Sequence, residues 1–332
     1  VASGPVSFMG IFNAATDVIK QGGRRRGANM GILNVRHPDI LAFIEAKSQE
    51  GSLSNFNISV MVSDEFMELV YRKMYDTVWV VHPCSSEVIT VGHIWSAVVE
   101  GIWQNGEPGL LFHDEINRFN PTSRLGDIDA TNPCGEQPLL PFESCVLGSI
   151  NLASFVQNGT FNECELKQTV RTAVIFLDKV IDKNFYPIPE IEKATRKTRK
   201  IGLGLMGVHD ALLLMGLEYD SPEGRTWCES IMQCINDTAV DASHLRAEQL
   251  GSFPAWEDSS WKGFPVRNAT MPSIAPTGTL SLLAGCSSGI EPVFSFAHTR
   301  RNTIGKTFVI VNAVFCAALE KTLAATELTK EE

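Results

Sequence analysis

Thr131-Asn132-Pro133-Cys134-Gly135-Glu136-Gln137 places a carboxamide, a thiol and a carboxylate at every second position. In extended backbone alternate residues point the same way, so Asn132, Cys134 and Glu136 would share one face. Pro133 and Gly135 between them are poor strand formers, which predicts a rigid loop tip rather than a sheet strand. A tip that carries thiol, acid and amide toward one point is a way to build a compact reaction centre. A turn around a buried structural cysteine is the plainer alternative for these seven residues alone. Eleven residues after Cys134, a second cysteine opens Cys145-Val146-Leu147-Gly148-Ser149-Ile150-Asn151-Leu152, an apolar, β-capable run. That separation lets the tip fold back and bring the two sulfurs into one pocket.

The composition frames what such a centre can serve. A chain of 332 residues, 44% hydrophobic and 20% charged, has the length of about two ordinary domains or of one large α/β barrel. The formal net charge of −10 argues against a nucleic-acid polymer or an anionic membrane as the main partner. Bases remain open as small molecules. No apolar run of membrane-spanning length occurs. The start, Val1-Ala2-Ser3-Gly4-Pro5, has neither an initiator Met nor a secretion signal, and is read as the start of a piece cut from a longer, cytoplasmic protein. The eight cysteines form no CxxC and no zinc-spaced cluster, so no metal is expected and most should be buried, reduced thiols.

Outward from the tip, the pattern alternates helix and strand. Residues 6–20 carry an apolar helical stripe (Phe8, Ile11, Phe12, Ala15, Ile19) that stops at Gly22-Gly23. Arg24-Arg25-Arg26-Gly27 then forms a glycine-flanked basic loop suited to phosphate or a base edge, or else a solvated charge run. Strands are expected at 30–35 and 56–62, helices at 37–47, 64–75 and 95–103, and a hairpin-like pair at 78–81 and 87–91. His113-Asp114-Glu115 is read as structural, because no second ligand pair follows at helical spacing. Long helices are expected at 164–184 and 223–250, and a mostly helical tail from 308 to 332.

Two further segments invite a ligand. Residues 202–207 match G-x-G-x-x-G, but the run before them, 193–200, is basic rather than strand-like, so close helix packing is preferred over a dinucleotide fingerprint. Ser273-Ile274-Ala275-Pro276-Thr277-Gly278-Thr279-Leu280-Ser281 passes from an apolar stretch into a hydroxyl-rich turn and a helix start, where free N–H groups suit phosphate. It is not a Walker loop, and a plain capped helix is the alternative.

A basic glycine loop, a thiol–carboxylate tip and a phosphate-suited turn together imply nucleotide chemistry at a sulfur. Gln21-Gly22-Gly23-Arg24-Arg25-Arg26-Gly27-Ala28-Asn29-Met30, Asn132-Pro133-Cys134-Gly135-Glu136, Ser144-Cys145-Val146-Leu147-Gly148-Ser149-Ile150-Asn151-Leu152 and Ala275-Pro276-Thr277-Gly278-Thr279-Leu280-Ser281 occur in one order across nearly the whole chain. On these motifs the sequence resembles the catalytic subunit of the ribonucleotide reductases. The first two are most similar to the adenosylcobalamin-dependent class II enzymes.

The resemblance implies an α/β fold, a ten-stranded α/β barrel of the ribonucleotide reductase and glycyl-radical type with the cysteine loop threaded through its centre. Residues 1–332 would be part of that single catalytic domain, lacking its first strand region and C-terminal tail. It implies radical reduction of ribonucleotides, as diphosphates, to 2′-deoxyribonucleotides. Cys134 would be the thiyl site that abstracts the ribose 3′ hydrogen and Glu136 the acceptor of the 3′ hydroxyl proton. Asn132 would hold the ribose, and Cys145 would be one half of the reducing dithiol. Substrate would contact Asn132, Pro133, Cys134, Gly135 and Glu136, with its diphosphate on Pro276, Thr277, Gly278, Thr279, Leu280 and Ser281. Gln21 and Arg25 would belong to the specificity loop that relays a deoxynucleotide or ATP effector. Implied partners are a thioredoxin-type dithiol reductant and a second copy of the chain in a homodimer. The family's other redox cysteine belongs before Val1, and its C-terminal cysteine pair is absent, so this stretch is not expected to turn over by itself. A missing first strand would leave an unpaired edge. Three other readings stay open: a class I large subunit served by a separate metal-bearing subunit, a nucleotide-binding module without catalysis, and a nicotinamide dehydrogenase resting on 202–207. No Asp-x-His-x-x-Gly cobalamin signature occurs.

Overall fold

The computed structural model describes residues 4–21, 25–301 and 305–326. The chain divides into two compact units, Val1–Glu143 and Ser144–Glu332.

In the first unit, helix α1 (Gly4–Val18) precedes a three-stranded parallel sheet of β1 (Asn29–Asn34), β2 (Phe56–Val62) and β3 (Gly109–Phe112), in the order β1-β2-β3. Asn29 pairs with Phe56 and Ser59 with Gly109. Six of the seven β2 residues are buried, as befits a central parallel strand covered on both faces. Helices α2 (Ile40–Ile44), α3 (Asp64–Tyr71) and α4 (Val91–Asn105) supply Phe43, Phe66 and Ile94 to the core around Ile58 and Val60. Ser63 and Thr90 cap the last two helices by accepting the N–H of Phe66 and of His93. Helix α3 ends earlier than the 64–75 pattern predicts. Lys73 turns left-handed at φ 58° and the N–H of Met74 reaches back to the Leu69 carbonyl, closing the helix. The expected hairpin is present as Val78–Val81 against Val88–Thr90.

In the second unit, β6 (Val146–Asn151) and β7 (Ile201–Met206) run parallel, with Val146 opposite Ile201; the short strands β4 (Ala130–Thr131) and β5 (Pro138–Leu139) precede them in the chain. Residues 270–273 run along the other edge of β7, parallel to it: Ile201 N–H donates to Thr270 O, Leu203 N–H to Met271 O, and Ser273 N–H to Leu203 O. Helices α5 (Glu163–Lys183) and α6 (Val208–Met215), with the longer α7 (Pro222–Leu250), bury Val170, Val174, Leu212, Ile231 and Ile235 against this sheet.

Here one sequence expectation is corrected. Residues 202–207 are neither helix nor dinucleotide loop but the buried strand β7 and the residue after it. The basic run that argued against a strand is the helix Pro189–Thr198, closed by Arg199 in the left-handed region, so β7 starts directly behind it. Glycine is tolerated in β7 because the neighbouring backbone lies so close: a Cβ on Gly204 would stand 2.1 Å from the Ser273 carbonyl oxygen.

The tail is corrected as well. Strands β8 (Ala297–Arg301) and β9 (Thr307–Val311) form an antiparallel pair before helix α9 (Ala313–Thr326), so the reading of 308–332 as mostly helical misses a strand; 327–332 lie outside the described residues. Arg199, the residue closing the helix at 198, turns inward. Its guanidinium donates to Asp178, which is fully buried, at 3.0 and 2.7 Å, and to Asp182 at 2.7 Å, while Asn268 Nδ2 donates to Asp178 at 3.2 Å. Buried charge persists only when paired in this way. The content is mixed α/β; among the described residues the strands do not close into a barrel. Nor, among those residues, is any helix long and apolar enough to cross a membrane.

Candidate active site

The tip is a two-stranded hairpin. Strand β4 (Ala130–Thr131) pairs antiparallel with β5 (Pro138–Leu139), Thr131 facing Pro138. Gly135 N–H donates to Asn132 O at 3.0 Å, which closes a four-residue turn with Pro133 second and Gly135 last, at φ +83°. These are the positions at which a turn favours proline and glycine. Asn132 Oδ1 accepts the N–H of Gln137 at 3.0 Å, and Asn57 Nδ2 donates to the Pro133 carbonyl at 2.7 Å. Gln137 is buried, Asn132 and Glu136 are half-buried and Cys134 is exposed. The rigid loop tip expected from Pro133 and Gly135 is therefore present, with the thiol presented outward between the amide and the acid.

In the second unit Cys145 immediately precedes β6, as the apolar run predicts, next to Ser144, whose hydroxyl and N–H bond to Thr195 Oγ1. At the opposite, carboxyl end of the same sheet, residues 274–277 leave the 270–273 strand and enter helix α8 (Gly278–Ala284). Thr277 sits left-handed at φ 56°. Its Oγ1 accepts the N–H of Gly289 at 2.7 Å, and Ser281 N–H donates to Thr277 O. Thr277 and Ser281 are buried, whereas Gly278, Thr279 and Leu280 are exposed. The hydroxyls of Thr277 and Ser281 bond to the Gly289 N–H and the Gly278 carbonyl, and the first turn of α8 is the exposed part of the segment.

Gln21 and Arg25 face each other in a short antiparallel hairpin, Lys20–Gln21 with Arg25–Arg26. Their side chains, and residues 22–24 between them, lie outside the described residues. His113 bridges Asp114 and Asp129 at 3.5 and 3.2 Å, and Asp114 accepts the Asp64 N–H, which holds its carboxyl below the usual carboxylate range. Three other cysteines are held as thiols. Burial pushes Cys228 and Cys234 up, and burial with the charge of Asp210 pushes Cys286 up to about 11.

A family model of the ribonucleotide reductase barrel domain matches residues 1–266 and 261–332. The chain belongs to the ribonucleotide reductases. It is 52% identical over 322 residues to the vitamin B12-dependent ribonucleoside-diphosphate reductase of Thermoplasma acidophilum, covering 95% of this chain and 42% of that protein. Identity is 45% over 319 residues to the protein of the same name from Mycobacterium tuberculosis, covering 95% and 46%. A ribonucleoside-diphosphate reductase subunit alpha from Chlamydia pneumoniae is 26% identical over 395 residues, covering 96% and 38%. The chain spans less than half the length of these relatives.

Within this ribonucleotide reductase barrel domain, sequence reasoning missed Asp210 and Ser287. Asp210 sits in the first turn of α6 and is 2% exposed; Ser287 follows α8. The available signal was an acid three residues after Gly207, a helix start with no side chain to cap it.

Proposed function

We propose that the complete protein reduces ribonucleoside diphosphates to 2′-deoxyribonucleotides by a thiyl-radical route, with adenosylcobalamin as cofactor and an external thioredoxin-type dithiol as reductant. The observation that carries this reading is the hairpin tip, which holds the Cys134 thiol outward between a carboxamide and a carboxylate, in a chain that belongs to this family. The ten-stranded barrel as a single catalytic domain, effector control through Gln21 and Arg25, the homodimer and the cytoplasmic location are parts of the same proposal. A parallel α/β sheet in each unit supports the barrel.

Adenosylcobalamin rests on the relatives' names and the motif resemblance. Among the described residues no group of three or more His, Cys, Asp and Glu could hold a metal ion. The Cys134 thiyl takes the hydrogen atom from ribose C3′, so that S–H forms as C3′–H breaks. Glu136 accepts the 3′ hydroxyl proton. Asn132, its Oδ1 already engaged by Gln137, has Nδ2 to donate to the sugar. The 2′ hydroxyl leaves as water while a dithiol that includes Cys145 gives up two electrons and two protons and closes to a disulfide, after which Cys134 S–H returns its hydrogen atom to C3′ and Glu136 its proton to the 3′ oxygen. Cys145 and the turn at 276–281 mark opposite ends of one sheet, and a six-residue strand spans about 20 Å. The substrate's phosphates would sit at the carboxyl ends of the strands, on the first turn of α8.

The test is deoxynucleotide formation by the complete protein with and without adenosylcobalamin. Cys134→Ala is expected to abolish turnover while leaving nucleoside-diphosphate binding intact. Surviving turnover in that variant ends the proposal, and activity indifferent to cobalamin but dependent on a metal-bearing second subunit moves the protein to class I.

A further inference from the structure

Helix α6 starts without a cap of its own. Its first flanking residue is Gly207, left-handed at φ 73°, which has no side chain to offer the free N–H groups of the first turn. At that φ a Cβ is strained in any case, and one there would stand 2.3 Å from Asn151 Oδ1. The missing cap arrives from far along the chain. Ser287 Oγ accepts the Asp210 N–H at 3.3 Å, and Ser287 O accepts the Gly207 N–H at 2.8 Å. In return, Ser287 N–H donates to Asp210 Oδ2 at 2.7 Å. The second carboxylate oxygen, Oδ1, accepts Asn312 Nδ2 at 2.8 Å, and Asn312 Oδ1 accepts the Phe315 N–H at the start of α9.

The same loop is gripped at two more points. His209 Nδ1 accepts the Val293 N–H at 3.0 Å, and Tyr219 OH donates to Ile290 O at 2.7 Å. Between Ser287 and Ile290, Ser288 Oγ donates to Pro276 O and Gly289 N–H to Thr277 Oγ1. Hydrogen bonds from the buried carboxylate of Asp210 to Ser287, and from Ser288 and Gly289 to Pro276 and Thr277, are thus joined by the three-residue backbone 287–289 and reach the two residues that set the first turn of α8.

We infer that Asp210 is a positioning residue for the diphosphate seat at 276–281. It touches no substrate; it fixes the 287–289 loop that in turn fixes Pro276 and Thr277. This rests on the ribonucleotide reductase reading for the identity of the ligand, but the clamp itself is a property of the fold. An acid in a helix's first turn ordinarily serves its own helix. Here both carboxylate oxygens are committed to other segments, which is the mark of a tie between elements.

The geometry admits a swap test. In Asp210→Asn one of the two donors, Ser287 N–H or Asn312 Nδ2, must face the new amide nitrogen. Adding Asn312→Asp restores both bonds with roles reversed. The amide introduced at 210 then accepts the Ser287 N–H through its oxygen and donates through its nitrogen to the carboxylate introduced at 312. The other oxygen of that carboxylate keeps the Phe315 N–H. In the complete protein, D210N is expected to raise the Kd and KM for CDP about tenfold, with kcat changed less than about threefold, and D210N/N312D to return KM to within about threefold of the parent. Ser287→Ala, which removes only the cap on Asp210 N–H, is expected to give a rise of about threefold. Hydrogen exchange reads the clamp without any ligand: amides of 277–289 should exchange about tenfold faster in D210N and recover in the swap, while those of 231–242 in α7 stay unchanged. A D210N protein with parental KM and parental exchange at 277–289 overturns the clamp, as does a swap that recovers Tm but not exchange. A parent that does not bind CDP sinks the substrate assignment alone, since the exchange arm still decides the clamp.

Discussion

The two parallel sheets of this chain solve one problem by different means. In the first unit β2 is packed by side-chain volume, with Phe56, Ile58, Val60 and Val62 buried among the aliphatic faces of α2, α3 and α4. In the second, β7 is Ile-Gly-Leu-Gly-Leu-Met, and what glycine gives up in side-chain contact it returns as close backbone approach to 270–273. Around it sit fully buried carboxylate ties, Asp178 with Arg199 and Asn268, and Asp210 with Ser287 and Asn312, whereas the ion pair beside β2, Lys47 with Glu107, is only half-buried. The functional loops follow suit. The cysteine tip is held mostly by bonds within its own hairpin, whereas the turn at 276–281 is held by residues that lie outside it in sequence. A reactive thiol can thus be carried on a self-contained turn, while a seat for a larger ligand takes its shape from the core behind it.

The sharpest way to break this contrast is at Asp178. Asp178→Ala leaves the buried Arg199 guanidinium with Asp182 as its one remaining carboxylate partner among the described residues and is expected to cost about 3 kcal/mol. Hydrogen exchange should show the loss in α5 and β7 and spare β2; equal loss in both sheets would erase the distinction. Next is a pair of glycines. Gly204→Ala drives a methyl into the Ser273 carbonyl and is expected to cost about 3 kcal/mol, whereas Gly148→Ala meets only the Leu177 methyls at 3.4–3.5 Å and should cost less than about 1.5 kcal/mol. Denaturant melts of the two variants measure the gap, and similar costs would remove close backbone approach as the reason for glycine in β7. Smaller again is Asn57→Ala, which removes one side-chain bond to the Pro133 carbonyl. About 1 kcal/mol is expected, visible as faster amide exchange at 132–137. A loss of several kcal/mol would mean that the tip is not self-contained.

The mildest test is pH. Burial lowers His209 below its ordinary 6.5, so the unfolded chain binds the extra proton first as the solution is acidified. Stability contributed by neutral His209 is complete above 6.5 and declines as pH falls from there toward the lowered folded value, where the Val293 N–H would lose its acceptor. Asp182, lowered chiefly by its hydrogen bond from Arg199, acts in a separate window below 3.8, where its contribution is lost as pH falls further. A His209→Gln variant whose Tm is as pH-sensitive between about 7 and about 5 as the parent's would refute the first assignment.

Much of this is legible in the sequence because it is local. The tip follows from Pro133 and Gly135 at turn positions, β2 from its apolar run, and the entry to α8 from Pro276 and its hydroxyl-rich neighbours. The errors have a common cause. β7 reads as a packed helix because the strand's basic approach is itself a helix, whose final Arg199 folds inward to a partner 21 residues back. Asp210 and Ser287 are invisible because the bond between them joins residues 77 apart in sequence, beyond any periodic signal. Early termination of α3 at Tyr71 turns on Lys73 adopting a left-handed conformation that its residue type does not advertise.

The borrowed cap on α6 has a consequence for assembly. Until residue 287 has docked, the first turn of that helix keeps open N–H groups beside a glycine with little preference for the helical conformation. During synthesis this helix must wait, frayed at its start, for a serine made 77 residues later than the aspartate it meets. Completion of the helix and formation of the loop that shapes the neighbouring turn are therefore one event, and a polypeptide halted before Ser287 would carry neither.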